Sequence, residues 1–165
     1  MTLRPTRLLV VQGMIAAIYA ALTLALEPIS YGMLQFRLSE ILLVLVLLNR
    51  PSWIGLTLGC FIANIFSPLG ILDMIFGTLA TALTCGGMLL VRRPTVALLL
   101  PALINGIVIG LLLHFVYGLP LVMAAAYVGI GEFIVTYIPG LLIYYKLRSS
   151  RIIRKIFTGD DASVT

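Results

Sequence analysis

Apolar residues fall in six long runs along the chain, and proline, glycine or charge closes each of them. The runs predict helices at about 8–26, closed by Glu27-Pro28; 34–48, closed by Asn49-Arg50-Pro51; 52–66, closed by Ser67-Pro68; 72–91, closed by Arg92-Arg93-Pro94; 95–117, followed by Gly118-Leu119-Pro120; and 121–145. Proline works as a stop because it lacks an N–H and crowds the preceding turn. A membrane-spanning helix needs about 20 apolar residues. A chain of 165 residues therefore has room for six such helices joined by short loops. The expected fold is all-α: an integral membrane bundle of six transmembrane helices over 1–147, followed by a polar, basic cytoplasmic tail over 148–165. The second and third helices are short for full spans, since fifteen residues rise roughly 22 Å against a hydrocarbon core of about 30 Å. They are expected to stop below the outer surface. Irregular backbone at that depth is tolerable only beside protein or a water-filled cavity, which points to an outward-facing pocket.

Composition agrees with the pattern. Hydrophobic residues make up 61% of the chain and charged ones 10%, with a mean hydropathy of +1.15. A soluble domain cannot hide that much apolar surface. The net charge of +5 does not read as nucleic-acid binding, because the basic residues lie in the loops and ends between apolar runs. With both termini cytoplasmic, the inner side collects Arg4, Arg7, Arg50, Arg92, Arg93, Lys146, Arg148, Arg151, Arg154 and Lys155, and only Arg37 of the eleven falls outside. Arg4 and Arg7 before an apolar run imitate a signal peptide, but no clear small-residue cleavage site closes that run, so it reads as a retained helix. Cys60 and Cys85 have neither metal nor disulfide spacing and read as small core residues.

The polar residues inside the runs carry the candidate chemistry. In this orientation the outer half holds Glu27, Gln35, Arg37, Glu40, Asn64, Asp73 and His114, while Asn105 and Glu132 lie near mid-membrane. A charge at the bilayer centre costs about 2.5–3.5 kcal/mol, so such residues face the bundle interior. Each also has a plainer reading. Arg37 and Glu40, three residues apart, can neutralise each other. Asp73 can favour a helix N-terminus, and Asn64 and Asn105 can join helices. Glu27 and His114 read as boundary residues. Glu132 resists such a reading best, having no basic residue near it in sequence.

Small residues recur every fourth position at Gly13, Ala17, Ala21 and Ala25, with Ala16 and Ala20 alongside, and again at Gly55, Gly59 and Ala63. That spacing makes a smooth ridge against which a second helix can pack closely. No G-x-S-x-G, H-E-x-x-H, Cys/His metal spacing or Walker sequence occurs. Neither an enzyme, a metal nor a cofactor is expected, and uphill transport would take its energy from a partner or a gradient.

Several blocks together carry a family resemblance: Pro28-Ile29-Ser30-Tyr31-Gly32, Gln35-Phe36-Arg37-Leu38-Ser39-Glu40, Gly59-Cys60-Phe61-Ile62-Ala63-Asn64, Ser67-Pro68-Leu69-Gly70-Ile71-Leu72-Asp73, Phe76-Gly77-Thr78-Leu79-Ala80 and Gly131-Glu132. Over about 8–147 the chain resembles the QueT family, the queuosine-precursor substrate-binding (S) components of energy-coupling factor (ECF) transporters. The resemblance implies a six-helix subunit in a prokaryotic cell membrane that captures a 7-deazaguanine such as the 7-aminomethyl base. Its implied partners are a scaffold membrane subunit and two cytoplasmic ATPases. Gly13, Ala16, Ala17, Ala20 and Ala21 are then the expected face for the scaffold. The expected ligand set is Glu132, Asn105, Asn64, Asp73, Gln35, Arg37 and Glu40, with Tyr31 and Phe36 stacking on the base. Two other readings stay open at this point: a binding component for another vitamin-like or purine-like solute, and a membrane accessory protein that transports nothing.

Overall fold

The computed structural model describes residues 5–31, 36–150 and 156–157. Among them all regular structure is helical. Helix α1 (Pro5–Ala25) opens on a proline, whose missing N–H is unneeded in a first turn. A short turn, α2 (Glu27–Ser30), follows. The next segment begins as a 3-10 turn, Leu38–Leu43, and relaxes into α3 (Val44–Leu48). Then come α4 (Ser52–Asn64), α5 (Ile71–Leu90), α6 (Pro94–Ala97) and α7 (Leu100–Tyr117). The last stretch is α8 (Leu121–Glu132), a π-turn at Phe133–Tyr137, and α9 (Ile138–Leu147).

The π-turn has a local cause. Pro139 has no N–H to give to the carbonyl four residues back, and its ring crowds that carbonyl, so the helix widens just before it. The prediction of one uninterrupted helix over 121–145 overlooked this proline.

Among the described residues four helices are long and apolar enough to cross a membrane: Pro5–Ala25, Ile71–Leu90, Pro94–Tyr117 and Leu121–Leu147. The apolar helices Leu38–Leu48 and Ser52–Asn64 are shorter. The second predicted helix is not helical at Phe36 and Arg37, and from Leu38 its first six residues are wound in the tighter 3-10 form. Within each long helix only 33% to 50% of the apolar stretch is buried. Leu9, Met14, Phe115, Val122 and Leu142 stand exposed, an outer surface suited to hydrocarbon rather than water.

Neighbours in space run α1, α4, α5, α7, α8, and the Leu38–Leu48 segment packs between α1 and α9 to close the ring. The α1–α4 crossing is tight. A Cβ added at Gly59 would lie 2.8 Å from the Ala16 carbonyl oxygen and from Tyr19 Cβ, so only glycine allows this approach. Gln12 secures the same crossing by accepting the Gly55 N–H at 3.0 Å. Two apolar cores result. One joins Val11, Ile15, Leu43, Leu56 and Met88, and the other joins Ile109, Leu113, Ala124 and Val128. Phe157, from the predicted polar tail, packs into the first core. Residues 151–155 and 158–165 of that tail lie outside the described residues, as does Arg4.

Candidate binding site

Asp73, Gly77 and Thr81 follow one another at intervals of four on α5, which places them on one face in a column about 12 Å tall. Three other elements bring polar side chains to this column. The segment before α3 supplies Arg37 and Glu40, α1 supplies Tyr19, and α4 supplies Cys60 and Asn64.

At the end of the column where α5 begins, Arg37 Nη2 donates to Asp73 Oδ2 at 2.8 Å, and the Ser67 hydroxyl donates to the same oxygen at 2.7 Å. Asn64 Nδ2 donates to the Asp73 carbonyl at 3.0 Å. Two turns further along α5, the Tyr19 hydroxyl donates to Glu40 Oε1, and Thr81 approaches the same oxygen at 3.4 Å. Cys60 Sγ joins the two levels, taking Thr81 Oγ1 at 3.2 Å and Asn64 Nδ2 at 3.3 Å, with Arg37 Nη1 at 3.9 Å. Thr23 Oγ1 donates to the Tyr19 carbonyl at 3.0 Å, so the Ser39 hydroxyl, 2.6 Å away, is the donor to Thr23. That bond ties the Glu40 turn to α1.

Glu132, the last residue of α8 before the π-turn, lies within electrostatic range of Glu40, with Asn105 of α7 beside it. The 3-10 turn carrying Glu40 packs against the π-turn, which brings the two carboxylates to the same interior. Arg37, Glu40, Asn64, Asp73, Asn105 and Glu132 are all buried, none more than 4% exposed. Two cavities of the fold lie elsewhere: an apolar one of about 410 Å³ between α7 and α8, and one of about 160 Å³ lined in part by Arg50 and Tyr144. Neither of these two is lined by the polar cluster, whose side chains are buried.

Gly77 is part of the design of the cluster. A Cβ there would stand 2.6 Å from Asn64 Nδ2 and 3.0 Å from Asp73 Oδ1. The absent side chain is the space in which those groups meet.

Of the residues expected to bind a ligand, Arg37, Glu40, Asn64 and Asp73 meet in the cluster and Asn105 and Glu132 lie beside it, with one change of partner. Arg37 pairs with Asp73, not with Glu40. The backbone at Arg37 is extended (φ −85°, ψ 95°), so it does not share a helix face with Glu40. Tyr31, half-buried at the edge, donates its hydroxyl to the Ala63 carbonyl at 2.6 Å, with the Arg37 guanidinium 5.5 Å from its ring centre. Burial pushes the Tyr31 phenol up to about 12, so it remains a donor at ordinary pH. Phe36 is half-buried and donates its N–H to the Ile29 carbonyl at 3.2 Å. Gln35 lies outside the described residues. Glu27 is exposed, and His114 is held by the Leu119 carbonyl in the turn after α7.

Tyr19, Ser67 and Thr81 were not anticipated, and Cys60 was expected only as a core residue. The available signals were a tyrosine in mid-helix on α1 and a threonine in register with Asp73.

On α1 the small-residue ridge divides. Ala16 and Ala20 face inward, whereas Gly13, Ala17 and Ala21 are exposed, and nothing lies within 4 Å of a Cβ added at Gly13. Only the second set is open to a partner.

An apolar-coated helical bundle around a buried polar interior is the architecture of a multi-pass membrane protein. The chain belongs to the QueT transporter family, whose sequence profile matches residues 9–149. It is similar to a protein of Lactococcus lactis subsp. cremoris named "Queuosine precursor transporter QueT", with 41% identity over 71 residues. That alignment spans 42% of this chain and 41% of the relative. No solved structure matches the chain.

Proposed function

We propose that this chain is the membrane-embedded substrate-binding subunit of an ECF-type importer, and that it takes up a queuosine precursor, the 7-aminomethyl-7-deazaguanine base. The observation that carries the substrate is an imbalance of hydrogen-bonding groups. Glu40 Oε2, Asn64 Oδ1, Asp73 Oδ1 and Glu132 Oε2 are buried acceptors without a partner among the described residues, against one such donor on the charged groups of the cluster, Arg37 Nε. A buried orphan acceptor costs about 1–3 kcal/mol. A ligand rich in donors recovers that energy, and a cationic one recovers more because charge-assisted bonds are stronger. The aminomethyl base has a ring N–H beside an amino group, a fork that one carboxylate can accept, and an ammonium arm for a second. Glu132 takes one end of this ligand and Glu40 the other. Asn105, Asn64 and Gln35 supply neutral bonds, and Tyr31 and Phe36 flank the ring.

In this reading the Arg37–Asp73 pair closes the site and must part before the base can enter. The bundle has six spans with both termini cytoplasmic, counting the two shorter helices, and lies in a prokaryotic plasma membrane. Energy comes from two ATPases through a scaffold subunit docked on Gly13, Ala17 and Ala21. Calorimetric titration of the purified chain with the 7-aminomethyl base and with the 7-cyano base tests the reading. The expected result is binding of the first at least about tenfold tighter, since loss of the cation removes about 1.4 kcal/mol or more. Equal affinity for both, or none for either, overturns it.

A further inference from the structure

We propose that the cleft where α3, α5 and α9 meet is a binding site for a phosphate-bearing anion, and that its occupant in the membrane is the headgroup of an anionic phospholipid. The cleft has a volume of about 160 Å³ and is lined by Arg50, Arg92 and Tyr144 together with Val46, Met88 and Leu89. It is too small for a vitamin-sized solute, since such sites measure about 300–1,000 Å³. It has room for a phosphate group.

Basic residues at a membrane surface set topology by their number, and nothing in that rule requires them to converge. Here two arginines from separate loops, one after α3 and one after α5, line a single cleft. Arg50 donates to the Leu89 carbonyl at 3.3 Å. That bond satisfies one of the free carbonyls at the C-terminal end of α5 and offsets the partial negative charge there. A guanidinium carries five N–H groups, so most of those on Arg50 remain available. Arg92 makes no hydrogen bond or ion pair among the described residues, and no acidic residue lines the cleft. Two forked donors without a carboxylate match phosphate oxygens, which guanidinium binds in pairs.

The remaining lining favours a lipid over free phosphate as the source. Leu47, Leu89 and Val91, each only partly buried, offer an apolar wall beside the two arginines. Leu90, in the last turn of α5, is 84% exposed. A lipid presents the same succession, with a charged phosphate, a glycerol junction and acyl chains. Tyr144 is the amphipathic aromatic found at this depth in membrane proteins. Basic pockets between helices at a membrane surface hold anionic headgroups for these reasons.

The test uses the full chain in mild detergent. Native mass spectrometry reads the retention of phosphatidylglycerol against phosphatidylcholine, and thermal unfolding at fixed ionic strength reads protection by inorganic phosphate. The wild type is expected to retain phosphatidylglycerol about thirtyfold better, the effect of two basic contacts at a membrane surface. Arg50→Gln with Arg92→Gln should abolish the preference. Arg92→Gln alone, which keeps the bond from Arg50 to Leu89, should weaken it severalfold in a chain that still folds. Arg93→Gln with Arg148→Gln removes the same charge from outside the cleft and should leave it intact. Protection by inorganic phosphate without any lipid preference supports the site and assigns it to a soluble phosphate. Equal retention of both lipids with no phosphate effect overturns the proposal. So does a loss in the Arg93/Arg148 variant as large as in the cleft variant, because the effect would then be diffuse surface charge.

Discussion

Arg37 and Asp73 lie 36 positions apart in the chain and meet in a 2.8 Å ion pair sealed from solvent. The pair joins the turn that carries Glu40 to the first turn of α5, and through Ser67 and Asn64 it also gathers the loop between α4 and α5. Breaking a buried pair by removing one partner leaves an uncompensated charge, at a cost of about 3–5 kcal/mol. Asp73→Leu and Arg37→Met are therefore each expected to unfold far more easily than the wild type in detergent. Arg37→Met combined with Asp73→Leu should recover a substantial part of the loss, with a coupling of about 0.5–3 kcal/mol. Denaturation of the four proteins checks this, and strictly additive losses would show that the pair does not hold the site closed.

Gly77 makes a sharper test of the same geometry, because alanine there adds one methyl group and no charge. The new Cβ would come within 2.6 Å of Asn64 Nδ2. Overpacking of this kind costs about 1–3 kcal/mol. The Asn64 amide has to swing away, losing its bond to the Asp73 carbonyl, and ligand affinity should fall roughly tenfold. Gly86, on the same helix with nothing within 4 Å of an added Cβ, is the control. Gly86→Ala should be neutral or stabilise by up to about 1 kcal/mol. Thermal unfolding and titration of both variants separate a site effect from a helix effect.

The four long helices were legible in the sequence to within a few residues, because a membrane span must be an unbroken apolar run of fixed length. Pro5–Ala25 answers to the predicted 8–26, and Ile71–Leu90 to 72–91. Charged and amide residues inside those runs were legible for the same reason, since hydrocarbon tolerates them only inside the bundle. The partner of Arg37 was not. Local spacing pointed to Glu40, but the extended backbone at Arg37 turns it toward α5, and the register between segments 36 residues apart leaves no local trace. Hydroxyl groups were illegible too. Tyr19 and Thr81 cost little in an apolar helix, so their presence gave no alarm, although both reach Glu40 Oε1.

The carboxylates are distinguished by burial. Glu132 is 2% exposed, has Asn105 beside it and keeps one unpartnered oxygen, whereas Glu27 is exposed. Removing a charge-assisted bond from a buried site costs about 1.5–3 kcal/mol, equivalent to a roughly 10- to 150-fold loss of affinity. Glu132→Gln should weaken binding of the 7-aminomethyl base by that factor. Glu40→Gln should do the same, and Glu27→Gln should change little. Calorimetry on the three variants decides the matter, and unchanged affinity for Glu132→Gln in a folded protein moves the site elsewhere.

Topology can be read with single cysteines, because both native ones are buried and free. Tyr117, at the end of α7, is 59% exposed, and Ser149 is exposed after α9. With both termini inside, Tyr117→Cys is expected to react with an impermeant maleimide on intact cells and Ser149→Cys only after lysis. The reverse labelling pattern inverts the orientation.

The face of α1 that points outward carries the last prediction. Ala16 sits against Gly59 of α4, so a larger residue at Ala16 would spread the bundle itself. Ala17 and Ala21 are exposed on the adjoining face in line with Gly13, where a large side chain meets only lipid or a partner. Small residues four apart let two helices approach closely, and association in a membrane depends on that packing because lipid is as apolar as the helices. Ala17→Trp and Ala21→Trp should therefore leave folding and ligand binding unchanged while stopping uptake in cells that also carry the scaffold subunit and its ATPases. Ala16→Trp should instead lower the thermal stability of the isolated chain. Uptake at the wild-type rate with both Ala17→Trp and Ala21→Trp in place would mean that α1 does not meet the scaffold, and the coupling face would have to be sought elsewhere on the bundle.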